Sequence, residues 1–318
     1  MCTAISMGRF FGRTLDYDRS FGEEVVFMPR NFPLSFRHEP GIAHHNAVLG
    51  MAHVQDGYPL YYDAVNENGL YMAGLNYVHS CRYGNPGTHR IAAFELIPWV
   101  LGQCGDLAQA RALLSDTAIL GDDFSDTLPC ARLHWMIADR TGAVVAEPMH
   151  DGLKIYENPF GVMTNAPDFP YHINRLSELM NVSPYPPKNR IFPSAELVSY
   201  SRGSGAFGTP GDFSSASRFI RAAFASAHTA HGKTKSDEIS RFFHIMDTVA
   251  QPSGCAVTEE GKPISTVYTS CADTETATYY FTTYGCRRIR SVALKNAALD
   301  SDKLISYPME CREDILYL

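Results

Sequence analysis

A cysteine stands directly behind Met1, and Arg13 and Asp16 follow one short hairpin later in MCTAISMGRFFGRTLD. The chemistry these residues offer is nucleophilic. A cysteine attacks as thiolate, so it needs a lowered pKa or an adjacent base. The small side chain of Cys2 is compatible with removal of Met1, which would leave one residue holding both a thiol and a free α-amine. An α-amine titrates near ~7.7–8.0, so nucleophile and base would share one Cα, as in the N-terminal threonine enzymes. Arg13 would favour the thiolate, and Asp16 would accept from the α-ammonium and orient it. The competing reading is an ordinary buried cysteine beside a surface ion pair.

Three more polar residues fall at element ends. Asn76 closes the strand-like LYMAGLNY, and Asn165 closes GVMTN before Ala166-Pro167. An Asn amide is a neutral donor suited to a tetrahedral oxyanion, although Asn at a strand end also serves as a turn residue. Arg218, in GDFSSASRF, would hold an anionic intermediate or make a salt bridge. Other chemistries find little support. The string nearest to a GxSxG elbow, Arg202-Gly-Ser-Gly205, lacks the first glycine. Phosphate-loop and GxGxxG dinucleotide patterns do not occur.

The elements that must position these residues begin as antiparallel sheet. Thr3–Met7 and Phe10–Thr14 flank a Met-Gly-Arg turn. Strand signal continues at Glu24–Pro29, Ala47–Val54, Pro59–Val65 and Leu70–Tyr77, with Asn66-Glu-Asn-Gly69 as a turn. Ala92–Leu101 is apolar all round and reads as a buried helix, kinked or bounded at Pro98. Asp106 caps a helix over Leu107–Leu114. Strands return at Leu133–Ala138, Ala143–Met149, Leu153–Tyr156 and Gly161–Asn165. A helix over His172–Met180, a long Pro- and Gly-rich loop over Ser183–Gly211 and helices over Ser215–Ala227 and Lys235–Val249 follow. Thr266–Ser270 against Ala277–Thr283 and a strand at Ile289–Leu294 close the chain. Without a repeat or a composition shift, this order fits one α+β domain over residues 1–318, a four-layer sandwich of two antiparallel sheets with helices outside. A two-domain α+β chain is the alternative.

The 318 residues are 45% hydrophobic and 19% charged, as in globular proteins with a substantial core. The net charge of −7 without a basic cluster argues against nucleic acid as a partner. Runs long and apolar enough for a membrane span, and a signal-peptide pattern, are missing, so the expected location is cytoplasmic. Eight scattered cysteines, Cys2, Cys81, Cys104, Cys130, Cys255, Cys271, Cys286 and Cys311, make no CxxC pair and are expected as free thiols. Neither the histidines nor the cysteines show metal-ligand spacing, so no metal is expected.

MCTAIS, FGRTLDY, PRNF, PLYYDAVNENGLYMAGLNY, FELIPWVLGQC, LHWMIAD, NPFGVMTNAPDF, YSRG, GTPGDFSSASRFIRAAF, FFHIM and YTSC together resemble the choloylglycine hydrolase family of bile salt hydrolases and penicillin V acylases. The similarity runs over almost the whole chain and is nearest to the bile salt hydrolases of Gram-positive gut bacteria. It implies an αββα N-terminal nucleophile hydrolase needing no cofactor and acting on an amide. Cys2 would be nucleophile and, through its amine, base. Arg13 and Asp16 match the family's Arg-x-x-Asp, Asn76 and Asn165 its two oxyanion positions, and Arg218 the arginine supporting the active centre. The substrate implied is a glycine- or taurine-conjugated bile salt, with penicillin V as the alternative and a silent bile-acid or lipid binder as a second. Leu15, Tyr58, Leu60, Tyr77, Leu128 and Cys130 match the family's pocket loops, and Asn76 in AGLNY is the bile-salt-like form. The first hairpin is shorter than in many relatives, and Val78–Tyr83 departs from the Gly-containing loop expected there. Homotetramers assembled through the span Ser183–Gly211 are also implied.

Overall fold

Alternation of apolar side chains along the strands sets the layers. On Glu24–Met28, Val25 and Phe27 join one apolar cluster, while Val26 and Met28 join another. On Leu133–Asp139, Met136 and Ala138 divide from Trp135 and Ile137 in the same way. Strands buried on both faces must lie in the middle of a layered stack. The computed structural model describes residues 1–309 and 312–318 and has that architecture.

In chain order the elements are β1 (Cys2–Met7), β2 (Phe10–Tyr17), β3 (Glu24–Met28), β4 (Val48–Gln55), β5 (Tyr58–Asn66), β6 (Tyr71–Asn76), β7 (His89–Ala92), α1 (Leu96–Gln103), α2 (Leu107–Ser115), β8 (Thr117–Leu120), β9 (Leu133–Asp139), β10 (Gly142–Met149), β11 (Gly152–Glu157), β12 (Val162–Met163), α3 (Phe169–Ser177), α4 (Ser215–His228), α5 (Lys235–Asp247), β13 (Ala256–Val257), β14 (Pro263–Asp273), β15 (Thr278–Thr283), β16 (Cys286–Ala293) and β17 (Ile305–Pro308). One antiparallel sheet runs β12-β1-β2-β14-β15-β16, with β13 beside β14. The other runs β11-β10-β9-β6-β5-β4-β3-β17, and β7 and β8 form a small parallel pair. The first quarter is therefore split between sheets: the N-terminal hairpin lies in one and β3–β6 in the other.

Helices α4 and α5 pack on the first sheet and α1 on the second, giving the expected αββα order. The inter-sheet core takes Phe11, Leu49, Tyr71, Met136 and Tyr268, and extends to Phe219 and Phe242 of α4 and α5. A second cluster joins Trp99 and Leu101 of α1 to the outer face of the larger sheet. Full burial of such a side chain stabilises the fold by about 1.5–3 kcal/mol. Pro98 sits in the first turn of α1, where its missing N–H would have had no partner inside the helix. Asp106 caps α2 by accepting from the Gln109 N–H at 2.8 Å.

Two departures from the predicted elements are non-local in origin. Helix α3 starts earlier than expected, at Phe169-Pro170, because Glu147 on β10 accepts the Phe169 N–H at 3.1 Å. Strand β17 goes unpredicted because it is four residues long and pairs with β3, far away in the chain. Of the expected free thiols, Cys2, Cys81, Cys104, Cys130, Cys255, Cys271 and Cys286 are free, and Cys311 lies outside the described residues.

Candidate active site

The β1–β2 hairpin places Cys2 opposite Leu15 and Ala4 opposite Arg13. Directly paired residues share a face, so Arg13 lies diagonally across from Cys2 on the same side of the sheet. That side faces the other sheet. Arg13 Nη1 donates to the carbonyls of Gly74 at 2.6 Å and Tyr62 at 3.3 Å, and Nε donates to Thr14 O at 3.1 Å. Nη2 donates to Cys2 Sγ at 2.7 Å. Burial works against the guanidinium charge, but Cys2, Tyr268 and Asp63 outweigh it and hold the Arg13 pKa above its ordinary value. Gly12 makes room for this packing, since a Cβ there would lie 1.9 Å from the Ser270 carbonyl oxygen on β14.

Asp16, an odd number of residues from Arg13, falls on the opposite face of β2. Its carboxylate accepts from Thr266 Oγ1 at 2.6 Å and Thr14 Oγ1 at 3.1 Å. Burial raises its pKa, opposed by Arg218 and the N-terminal charge. With Met1 in place, the Met1 ammonium donates to the Asp16 carbonyl at 2.7 Å rather than to its carboxylate. Arg218, on the same side of the sheet, reaches from α4 to Thr3 Oγ1 at 2.7 Å and to the Cys2 carbonyl. Its Nη2 donates to Asn165 Oδ1 at 2.6 Å.

Asn165 is the hub. Its Oδ1 also accepts the Cys2 N–H at 2.8 Å, and its Nδ2 donates to the Asn76 carbonyl at 2.8 Å. Two donors on Oδ1 fix the orientation of the amide, and the second Nδ2 hydrogen is left over for an oxyanion. The structure thus joins Cys2, Arg13, Asn165 and Arg218 through direct hydrogen bonds. Asn76 enters through its backbone, and Asp16 stands one strand position away.

Around this hub lie residues the sequence did not single out. The Asn165 backbone is clamped by Ser215, whose Oγ accepts the Asn165 N–H at 2.9 Å and donates to the Asn165 carbonyl at 2.8 Å. His172 Nε2 donates to the same carbonyl at 2.9 Å, and His134 Nε2 donates to Thr164 O at 2.8 Å. Burial lowers the His172 pKa. His134 Nδ1 meets Glu147 at 3.0 Å, and the ring stacks on Tyr77. A further buried carboxylate, Asp63, interrupts the apolar pattern of β5. That break in an inward-facing row is the one sequence signal it gives.

The six expected pocket residues are scattered. Leu15 faces Cys2 in the ladder, and Tyr77 is buried against His134. Tyr58 and Cys130 pack with the outer cluster, Tyr58 against Phe94 and Phe124. Leu60 and Leu128 are half-buried. Among the described residues, no group of three or more His, Cys, Asp or Glu is placed to hold a metal ion, and no helix is long and apolar enough to cross a membrane.

Residues 2–307 match the family described as linear amide C-N hydrolases, choloylglycine hydrolase family. The chain is 42% identical to a bile salt hydrolase/transferase of Lactiplantibacillus plantarum, covering 97% of each protein. It is 31% identical to a conjugated bile acid hydrolase of Lactobacillus gasseri, over 96% of this chain and 100% of the relative. Among solved structures, the mutant C2A conjugated bile acid hydrolase from Clostridium perfringens matches with a TM-score of 0.91 at 32% identity, covering 100% of both chains. A penicillin V acylase from Agrobacterium tumefaciens shares the fold at a TM-score of 0.75 and 16% identity, covering 96% of this chain and 90% of that one.

Proposed function

The chain belongs to the choloylglycine hydrolase family of linear amide C-N hydrolases, and from that premise we propose that it cleaves the amide bond of glycine- or taurine-conjugated bile salts, acting through Cys2 once Met1 has been removed. The carrying observation is that both reactive atoms of Cys2 are already held. Arg13 donates to its sulfur at 2.7 Å, and Asn165 accepts from its nitrogen at 2.8 Å. Removal of Met1 would turn that nitrogen into the α-amine without moving the thiol.

The thiolate then attacks the amide carbonyl. Charge building on the carbonyl oxygen is met by the spare Nδ2 hydrogen of Asn165 and by Asn76. The α-ammonium gives its proton to the departing glycine or taurine nitrogen as the C–N bond breaks, leaving a Cys2 thioester. Water, activated by the now neutral amine, hydrolyses the thioester and regenerates the thiol. Arg218 and Asp16 hold the strand end from its other face. No step calls for a cofactor.

The bile-salt reading rests on relatives named for bile salts at 31–42% identity over nearly their full length, whereas the 16% likeness to a penicillin V acylase speaks for the fold alone. The same reading makes the chain one cytoplasmic domain that binds a small molecule, not nucleic acid. It also makes the chain a homotetramer joined through residues 183–211, where Ile191, Val198 and Tyr200 stand exposed.

The test is a competition. Purified protein and Cys2→Ala are each mixed with glycocholate, taurocholate and penicillin V, and products are followed by mass spectrometry. Release of glycine or taurine by the unmodified protein alone is the expected result. Cleavage mainly of penicillin V would move the substrate and keep the mechanism. No turnover by protein lacking Met1 would favour a silent binder, and activity in Cys2→Ala would sink the scheme.

A further inference from the structure

Asp63 is fully buried between the sheets, and its partners are hydroxyls. Tyr268 donates to Oδ1 at 2.6 Å, and Tyr71, Tyr279 and Ser270 donate to Oδ2 at 2.8, 2.8 and 2.9 Å. These donors come from β6, β14 and β15, so they reach the carboxyl from both sheets. Four hydroxyls on two oxygens match an ionised carboxylate, which only accepts. The Asp63 pKa stands above its ordinary value, because burial raises it and Arg13 and the hydroxyls of Tyr268, Tyr279 and Tyr71 offset only part of that rise. Ser270 links the group to Arg13, because its Oγ also accepts the Arg13 backbone N–H at 3.1 Å.

The partners of the Arg13 guanidinium explain why a carboxylate belongs here. They are the carbonyls of Thr14, Gly74 and Tyr62, all neutral, and the Cys2 sulfur. The ionisable groups buried about Cys2 are Arg13, Arg218, Asp16 and Asp63, with Glu147 paired to His134 beyond Asn165. Tyr62 stands beside Arg13, with Glu23 acting on it from beyond.

We propose that Asp63 is a positioning residue that offsets the Arg13 charge at the Cys2 sulfur and nitrogen. A carboxylate behind Arg13 opposes the thiolate and favours the ammonium, so the α-amine of Cys2 can hold the proton that the leaving nitrogen needs. The inference rests on the hydrolase reading for the role of the amine, but its effect on the sulfur does not need a substrate.

In Asp63→Asn the pocket gains one positive charge. The thiolate is then favoured and the ammonium disfavoured. Alkylation of Cys2 by iodoacetamide, located by peptide mass spectrometry, should move its pH midpoint to the acid side by on the order of one unit. Glycocholate turnover near neutral pH should fall by about tenfold, since the proton for the leaving nitrogen has become scarce. Asp63→Ser removes the same charge with a smaller neutral hydroxyl and should move alkylation the same way, while Asp63→Glu keeps the charge and the midpoint. Asp63→Ser decides the matter if Asp63→Asn does not fold.

A folded variant whose alkylation midpoint stays put or moves to the alkaline side would overturn the proposal. That is the result expected if Asp63 only props up Arg13. An acid shift in a protein that never cleaves glycocholate would leave this inference standing and remove the hydrolase reading instead.

Discussion

Ser215→Ala tests how the Asn165 amide is aimed. The hydroxyl makes the one described hydrogen bond to the Asn165 N–H, at 2.9 Å, and also meets Thr164 Oγ1 at 2.9 Å. Without it the Asn165 carbonyl keeps His172 Nε2, and Thr164 Oγ1 keeps the Ser215 carbonyl at 3.1 Å. The net loss is therefore one partly buried N–H left unpaired, which costs about 1–3 kcal/mol of stability. The effect on rate comes through position. Removing an oxyanion donor altogether costs about 100- to 1,000-fold in kcat, and a misplacement of ~1 Å costs about 100-fold. Ser215→Ala, which loosens Asn165 without deleting it, should lower kcat on glycocholate by about 10- to 100-fold. KM should scarcely change, since the lost interaction matters in the transition state. Asn165→Ala sets the floor, and Ser215→Thr, which keeps a hydroxyl, should recover part of the rate. The assay is steady-state kinetics beside thermal melting. A variant with a lowered Tm and wild-type kcat would refute the reasoning, because the clamp would then serve the fold and not the amide.

Two other outcomes follow from separate parts of the molecule. Hydrogen bonds from Ser214 and Ser217 hold the Asp212 pKa down at about 2, below its ordinary 3.8. A carboxylate with a depressed folded pKa contributes stability that is complete above the unfolded value and lost as pH falls toward the folded one. Melting temperature should therefore drop between pH ~4 and ~2 and flatten in Asp212→Asn, by less than about 1 kcal/mol because the group is exposed; an unchanged slope would reject the link. In the 183–211 span, Ile191→Glu with Val198→Glu should reduce the particle mass seen by light scattering below that of a tetramer. An unaltered assembly would place the contact elsewhere.

How much of this was legible depends on the distance over which each feature is specified. Hairpins, helix caps and the split of Val25 from Val26 are local, and the strand period exposes them. The same period puts Arg13 and Asp16 on opposite faces of one strand, since they stand three positions apart. The spacing alone carries that information, and it already divides their work between the sulfur side and the helix side. What the sequence hid is non-local. Nothing near Asp63 announces that Tyr268 and Tyr279 will meet it from another sheet, or that Ser215 will seat the backbone of Asn165. The break in apolar alternation at Asp63 marks a buried charge without saying what balances it.

The brevity of β12 explains why the nucleophile's nitrogen is available at all. Even-numbered residues of β1 turn their N–H groups toward β12: Ser6 donates to Gly161 O at 2.7 Å, and Ala4 and Ile5 pair with Met163 and Val162. Continued by two more residue pairs, Thr3 with Thr164 and Cys2 with Asn165, the ladder would give the Cys2 N–H a backbone carbonyl. Instead the paired segment stops at Met163, and the Asn165 side chain takes the place that carbonyl would have held. An amide oxygen there accepts from an N–H and equally from an ammonium, whereas Arg218 on the same oxygen limits how negative it can become. The edge of the sheet is therefore not finished with backbone at this point. A side chain able to serve a peptide nitrogen and, on the proposed removal of Met1, an α-amine occupies it, and on the same proposal its remaining Nδ2 hydrogen is the one offered to the oxyanion. Substituting Asn165 by Asp would keep the acceptor for the Cys2 N–H and remove both Nδ2 hydrogens, the one on the Asn76 carbonyl included, so glycocholate turnover should be lost.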